Sequence, residues 1–308
     1  MIKDYLGRLL KIRSREVNTS LIEEFKYPKL GPGELWEAAA EKVEEKGGKI
    51  ITNARVTGFE NEHSEFKGIK SVIYEQCGIS HTVDCDYVIS SMAIKDLTKG
   101  LEDVPEDILK IADGLPYRDY ITMGVLVKSI KLKNHTNLKT VGNIVPDCWV
   151  YVQDDSVKTG RFQIFNNWSP YLVRDYENTI WIGMEYFCNE GDELWQMPES
   201  EFGQLVADEM IKIGLIDKKE DILDCHEEKV IKAYPAYFDT YDRIDEVISY
   251  LNGFDNLFCV GRNGQHRYNN LDHSMCTSFE AVKSLLSGDR SRDNIWSVNT
   301  EKEYHESK

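Results

Sequence analysis

The stretch Asn256–Met275, NLFCVGRNGQHRYNNLDHSM, constrains the fold more than any other part of the chain. Its apolar run, Leu257 to Val260, is too short for a helix and reads as a buried strand bounded by turn signals. Gly261 and Gly264 follow, and glycine lets a backbone turn and approach another surface closely. Helical spacing then resumes from about His273 to Leu286. A strand that feeds a helix through a glycine turn needs a parallel sheet to join. Such sheets bind ligands just outside the carboxyl ends of their strands. Arg262, His266, Arg267, Tyr268, Asn269, Asn270 and Asp272 crowd that place. The helix start adds unpaired N–H groups and a positive dipole end, which favour an anion or a carbonyl-like oxygen. The same residues also read as an ordinary polar loop, with Asp272 or Ser274 capping the helix.

The rest of the chain places this segment in a larger plan. Residues 1–15 read as a helix, with Tyr5, Leu6, Leu9 and Leu10 on one stripe. Pro28 and Gly31-Pro32-Gly33 force a loop. The spacing of Leu35, Trp36, Ala39, Ala40 and Val43 predicts a helix over Glu34–Lys46, stopped by Gly47-Gly48. Strands are expected over Lys49–Val56, 69–75 and 80–90, the last ending in Tyr87-Val88-Ile89-Ser90-Ser91. The middle changes character, with strands expected at 118–132, 148–153, 161–167, 179–188 and 226–234 and one helix at 199–214. Arg243–Leu251 is helical. The fold class is therefore α/β (α+β), with a mostly antiparallel β-sheet inserted into a parallel domain. The boundaries fall at 1–100, 101–235, 236–288 and a polar tail, 289–308, expected to be loosely ordered.

Charge and cysteine usage narrow the function. The formal net charge of −16 repels a phosphate backbone, and the basic residues are scattered, so nucleic-acid binding is not expected. No apolar run is long enough to span a membrane. The seven cysteines never form a CxxC pair, which argues against a disulfide framework or zinc site. Most are read as buried small hydrophobes in a reducing, cytoplasmic compartment.

The stretch GRNGQHRYNN resembles the C-terminal FAD-binding motif of UDP-galactopyranose mutases and of related amine-oxidase-like and protoporphyrinogen-oxidase-like flavoproteins. The resemblance implies an incomplete FAD/NAD(P)-binding Rossmann-like domain (1–100 and 236–288) that carries a substrate domain (101–235). It places Gly261 and Arg262 by the FAD phosphate or ribityl region. It sets Leu271, Asp272, His273, Ser274 and Met275 along the flavin, where a positive helix end stabilises the reduced anion. It gives Arg267 and Tyr268 to the substrate. The mutases carry an acidic residue where this chain has Asn270, a departure that touches mutase activity rather than flavin binding. By the same resemblance Gly31, Pro32 and Gly33 pass near the cofactor, Val56 pairs with the adenine edge, and Ser90 and Ser91 lie at the adenosine end. Tyr234 and Tyr237, in KAYPAYFDTY, face the substrate side. Read without the resemblance, Gly-Pro-Gly punctuates a helix start, Val56 is core and the tyrosines anchor a sheet.

These flavoproteins open with a strand and GxGxxG, the turn that seats the pyrophosphate, and this sequence has none. Three explanations compete: a fragment, one half of a split enzyme, or a reduced fold. FAD binding by this chain alone is expected to be weak. A parallel sheet without its central strands exposes edges, so an N-terminal partner polypeptide or a homo-oligomer is expected. The implied substrate is a small molecule, with a nucleotide sugar among the candidates. The implied chemistry is either FAD-dependent oxidation or a flavin-dependent sugar-nucleotide rearrangement, with a non-catalytic remnant as the third reading.

Overall fold

A computed structural model of the chain describes residues 26–62 and 67–300; the helix expected over 1–15 lies outside them. Helix α1 (Gly33–Glu45) stops where Gly47 takes a φ of +84°, as expected. The strand expected over Lys49–Val56 is displaced. Asn53 sits at φ 53°, a left-handed kink that breaks the extended backbone, and β1 is Ala54–Asn61. It pairs antiparallel with β2 (Ile69–Gln76), which turns into β3 (Ile79–Asp84). Cys77 and Gly78 make that turn, both at positive φ, the conformation that matches the twist of a two-residue hairpin.

The run expected over 80–90 is two strands in two sheets. After β3, β4 (Val88–Ser90) leaves the meander and pairs parallel with β10 (Leu257–Cys259), in register Leu257↔Val88, Phe258↔Ile89, Cys259↔Ser90. Buried Asn256 fixes this switch. Its Oδ1 accepts the Ile69 N–H at 2.8 Å, and its Nδ2 donates to the carbonyls of Ile69 at 2.7 Å and Asp86 at 3.0 Å. The parallel joint demanded by Asn256–Met275 is therefore present.

Between these strands lie α2 (Ile94–Gly100), α3 (Glu106–Asp113) and the inserted sheet. That sheet is antiparallel, in the order β6 (Trp149–Tyr151), β7 (Arg161–Ile164), β8 (Ile180–Cys188), β5 (Tyr117–Val127), β9 (Ile222–Pro235). The strand expected over 161–167 ends at Ile164 and gives way to a helical turn, α4 (Phe165–Trp168). Asn166 explains this. Its side chain donates to the Thr179 carbonyl and accepts the Trp181 N–H, both at 2.9 Å, so it replaces a ladder partner. A short helix, α5 (Glu193–Gln196), precedes α6 (Glu199–Lys212). Strand alternation sends Ile121, Met123, Val125, Ile182 and Met184 to one face, where Phe202, Val206 and Met210 of α6 cover them. Each such fully buried side chain contributes about 1.5–3 kcal/mol.

A second core is discontinuous in sequence. Phe59, Ile94, Leu97 and Ile111 pack with Val247 and Leu251 of α7 (Ile244–Asn252), and with Leu257 and Cys259. Beyond β10 come α8 (Gly261–Gln265), α9 (Leu271–Ser287) and α10 (Asp293–Trp296).

Two expectations are corrected here. The tail expected to be loose from 289 is packed as far as it is described: Arg292, Ile295 and Asn299 are buried. The Arg292 guanidinium lies 3.8 Å from the Phe258 ring centroid and donates to the carbonyls of Leu257, Phe254 and Asp255. The polar composition of the tail hid this because the buried group is an arginine that satisfies carbonyls. All seven cysteines are unpaired, but only Cys188 and Cys259 are buried, while Cys77, Cys225 and Cys276 are exposed.

Candidate functional site

The carboxyl end of β10 leads into α8 through Gly261, which sits at φ +73° and donates its N–H to Thr277 Oγ1 at 2.9 Å. Three residues on, Gly264 lies against the end of β4. A Cβ there would stand 2.6 Å from the Ser90 carbonyl oxygen and 3.2 Å from Ser91 Cα. Only glycine permits this approach, and it brings Ser90 and Ser91 beside the start of the Gly261–Met275 segment. Ser90 is buried and Ser91 exposed.

After α8 the chain reverses at His266, at φ 48° and fully buried. Its Nε2–H donates to the Ala236 carbonyl at 3.1 Å, and the Tyr117 ring meets it edge-on at 4.7 Å. Burial pushes its pKa down to about 4, and Lys95 acts in the same direction. His266 is therefore a neutral, structural histidine at neutral pH. Asn269, also buried, is held by Gln265 and Asn299. These contacts present the start of α9, where Asn270 and His273 form a reciprocal capping pair and Leu271 and Asp272 are exposed. His273, Ser274 and Met275 are half-buried.

Arg262 turns toward the inserted sheet. Its Nε donates to Asn269 O at 2.8 Å and its Nη1 to Ala233 O at 3.0 Å. Its guanidinium lies over Tyr268 (4.8 Å) and Tyr234 (5.4 Å), whose rings stack at 5.9 Å and 18°. Tyr237 supports this pair from behind, because its hydroxyl accepts the Tyr268 N–H at 2.6 Å and its ring stacks on Tyr241. Arg267 points elsewhere, donating to Trp296 O at 2.6 Å and lying over the Trp296 ring.

On the sheet side, Tyr234 meets a group that the sequence reading did not single out. Arg161 of β7 and Glu185 of β8 form a buried ion pair, 2.5 Å between Nε and Oε2, at register-paired positions. The Arg161 Nη2 donates to the Tyr234 hydroxyl, and Gln163 donates to Glu185. Trp149 and Phe187 flank the guanidinium at 4.5 and 5.1 Å. Tyr120 completes the wall at 6.0 Å from Tyr234; burial, then the Glu185 charge, raise its pKa. The signal was present as charge in aromatic strands, in RFQI and GMEYF, on the face opposite the apolar core. Arg262, the Arg161–Glu185 pair and five aromatic rings thus converge where the sheet meets the start of α9. They suit a flat or anionic small molecule.

The other expected residues do not gather here. Gly31, at φ +93°, packs near Leu172, and Ser169 Oγ donates to Lys29 O, so Gly31-Pro32-Gly33 is anchored to the loop after α4. Val56 sits in the β1–β3 meander against the second core. Among the described residues no group of three His, Cys, Asp or Glu side chains is placed to hold a metal, and no helix is long and apolar enough to cross a membrane.

No protein-family model and no curated protein matches the sequence. Solved structures do. The fold is similar to that of reduced UDP-galactopyranose mutase, with a TM-score of 0.68 and 20% identity over 90% of this chain and 57% of that one. It is also similar to a protoporphyrinogen-oxidase-like protein from Exiguobacterium sp. 255-15, with a TM-score of 0.54 and 13% identity over 80% of this chain and 50% of that one. The chain spans between 50% and 57% of the length of these structures. Its α/β architecture with an antiparallel inserted sheet is theirs.

Proposed function

We propose that the chain is the substrate-domain-bearing part of an FAD-dependent oxidoreductase-like protein of the amine-oxidase and protoporphyrinogen-oxidase kind. In this reading residues 1–100 and 236–288 belong to the cofactor domain and 101–235 to the substrate domain. The observation that carries it is the joint at Gly261–Gly264. A backbone that only glycine allows is pressed on the end of a parallel strand, and a 17-residue helix opens beside it. That geometry suits a large, partly anionic cofactor lying along the strand ends. Gly261, Ser90, Ser91 and residues 271–275 would hold it. FAD supplies the acceptance of a hydride equivalent when bound. The residues of this chain orient the substrate: Tyr268 offers a ring face and Arg262 a cationic edge, both braced from behind by buried Tyr234 and the Arg161–Glu185 pair. The exposed first turn of α9 contributes a positive end of the helix dipole.

A second reading is a flavin-dependent sugar-nucleotide mutase. It is favoured by the fold shared with reduced UDP-galactopyranose mutase and by the Arg262 guanidinium over Tyr268, and opposed by Asn270. Titration with UDP-galactose, read by calorimetry, separates the two, because the oxidoreductase reading expects no binding.

The primary test is the visible spectrum of the purified chain with added FAD, alone and co-expressed with the polypeptide encoded directly upstream. A bound-flavin band in either sample is expected, stronger with the upstream polypeptide. No band in both samples overturns the flavin reading.

A further inference from the structure

Strand alternation gives the inserted sheet two unlike faces. Val150, Phe162, Ile182 and Met184 belong to the core that α6 covers. Their strand neighbours therefore stand on the opposite face: Trp149 and Tyr151 of β6, Arg161 of β7, Glu185 and Phe187 of β8. The face of an antiparallel sheet turned away from the core is ordinarily polar. Here it carries rings. Trp149 is 40% and Tyr151 57% exposed, and the two stack at 6.2 Å and 19°. Phe187 is half-buried and lies low on the sheet beside Gly160, where a Cβ would stand 2.9 Å from its ring.

Two buried side chains join these rings to the candidate site. Arg161 lies between Trp149, at 4.5 Å, and Phe187, at 5.1 Å. Tyr234 meets Phe187 at 5.8 Å and stacks under Tyr268. Since Arg161 and Tyr234 are both buried, a ligand meets the rings around them: Tyr268, Phe187, Trp149 and Tyr151. In the sheet order β6-β7-β8-β5-β9 this track crosses four inter-strand spacings, about 19 Å at roughly 4.8 Å each. Charge is unevenly placed along it. Glu185 matches the Arg161 guanidinium, so the middle of the track is neutral. Arg262, over Tyr268 at one end, donates to the carbonyls of Asn269 and Ala233 and has no carboxylate partner among the described residues.

We infer that the substrate is elongated, ring-bearing and largely apolar, with a single anionic group at one end. The anion pairs with Arg262, and the body lies across Phe187 toward Trp149 and Tyr151. The balance of surface and charge chooses this class over others. One guanidinium without a counter-charge suits one carboxylate or sulfonate. A diphosphate would bring further negative charge to a site that neutralises one, on a protein whose formal net charge is −16. A row of four rings offers more apolar surface than a single small ring or a sugar can cover. The inference rests on the proposed substrate site at Tyr268 and Arg262 and needs no flavin to be tested.

The probe is para-terphenyl carboxylate, followed by its own fluorescence anisotropy as the purified chain is added, with and without FAD. Saturable binding is expected. The matching carboxamide, which lacks the charge, and benzoate, which lacks the length, should each bind about tenfold more weakly or worse. UDP should compete poorly. Arg262→Gln should bring the acid down to the level of the amide, and Arg262→Lys should restore part of the difference. Trp149→Ala, at an exposed position of an edge strand, should weaken the terphenyl acid roughly fivefold and leave benzoate and the circular dichroism unchanged. No binding of the terphenyl acid in either sample overturns the inference. So does equal affinity for acid and amide, a UDP affinity above that of the acid, or a Trp149→Ala variant that binds like the parent. Binding as expected beside a colourless chain leaves this inference standing while the flavin reading fails. A flavin band with acid and amide bound alike does the reverse.

Discussion

At the scale of single residues, the joint after β10 rests on atoms with no room to spare. Gly264→Ala would drive a Cβ to 2.6 Å from the Ser90 carbonyl, a backbone atom that cannot swing aside. The expected cost is about 1–3 kcal/mol of stability, measured by urea unfolding. His266 carries a pH dependence whose sign follows from its burial. Its folded pKa lies near 4, below the ordinary 6.5. The unfolded chain therefore takes up a proton below pH 6.5 that the folded chain refuses until about pH 4. Stability from this residue is complete above pH 6.5 and is lost as the pH falls toward 4, by up to about 3 kcal/mol. His266→Asn keeps a residue tolerant of the left-handed backbone and removes the titration. Its urea midpoint should fall less than that of the parent between pH 6.5 and 4. Equal slopes would show that His266 does not set the dependence. The sequence made the dense polar stretch visible, and the glycines pointed to close approach. It could not say that His266 turns inward and Arg267 toward the tail, since both depend on residues 30 or so positions away.

At the scale of elements, alternation and helical spacing located most strands and helices, and failures came where a side chain replaced a backbone partner. Asn166 ends β7 early, and Asn256 splits the 80–90 run between sheets. Propensity cannot register such long-range clamps. The buried Arg161–Glu185 pair follows the same logic, because its partners meet only through strand register. Glu185→Gln leaves a buried guanidinium without its counter-charge and should cost about 3–5 kcal/mol. Replacing both residues by apolar ones of similar volume should cost much less. A double variant as unstable as the single one would contradict the electrostatic account. The tail makes a parallel case: Arg292→Ala removes hydrogen bonds to three carbonyls at the ends of α7 and the start of β10. A loss of roughly 2–4 kcal/mol is expected, read from the thermal midpoint.

At the scale of the whole molecule, the two cores are unequally closed. The inserted sheet has long register, nine paired positions between β5 and β8, and α6 seals its apolar face. The parallel pair has three register positions and, among the described residues, no further strand at its edges. The second core is drawn from residues 59–115 and 244–259, so its parts meet across a long intervening stretch of chain whose closure carries an entropic cost. Opening energies should therefore differ within one chain. In native-state hydrogen exchange, amides of Met123–Val125 and Ile182–Met184 should exchange only by global unfolding, with a denaturant slope to match. Those of Val88–Ser90 should exchange through a smaller opening that the inserted sheet does not share. One common slope for both groups would mean that the parallel pair is as closed as the sheet, and that the exposed Ile89 face costs the isolated chain nothing.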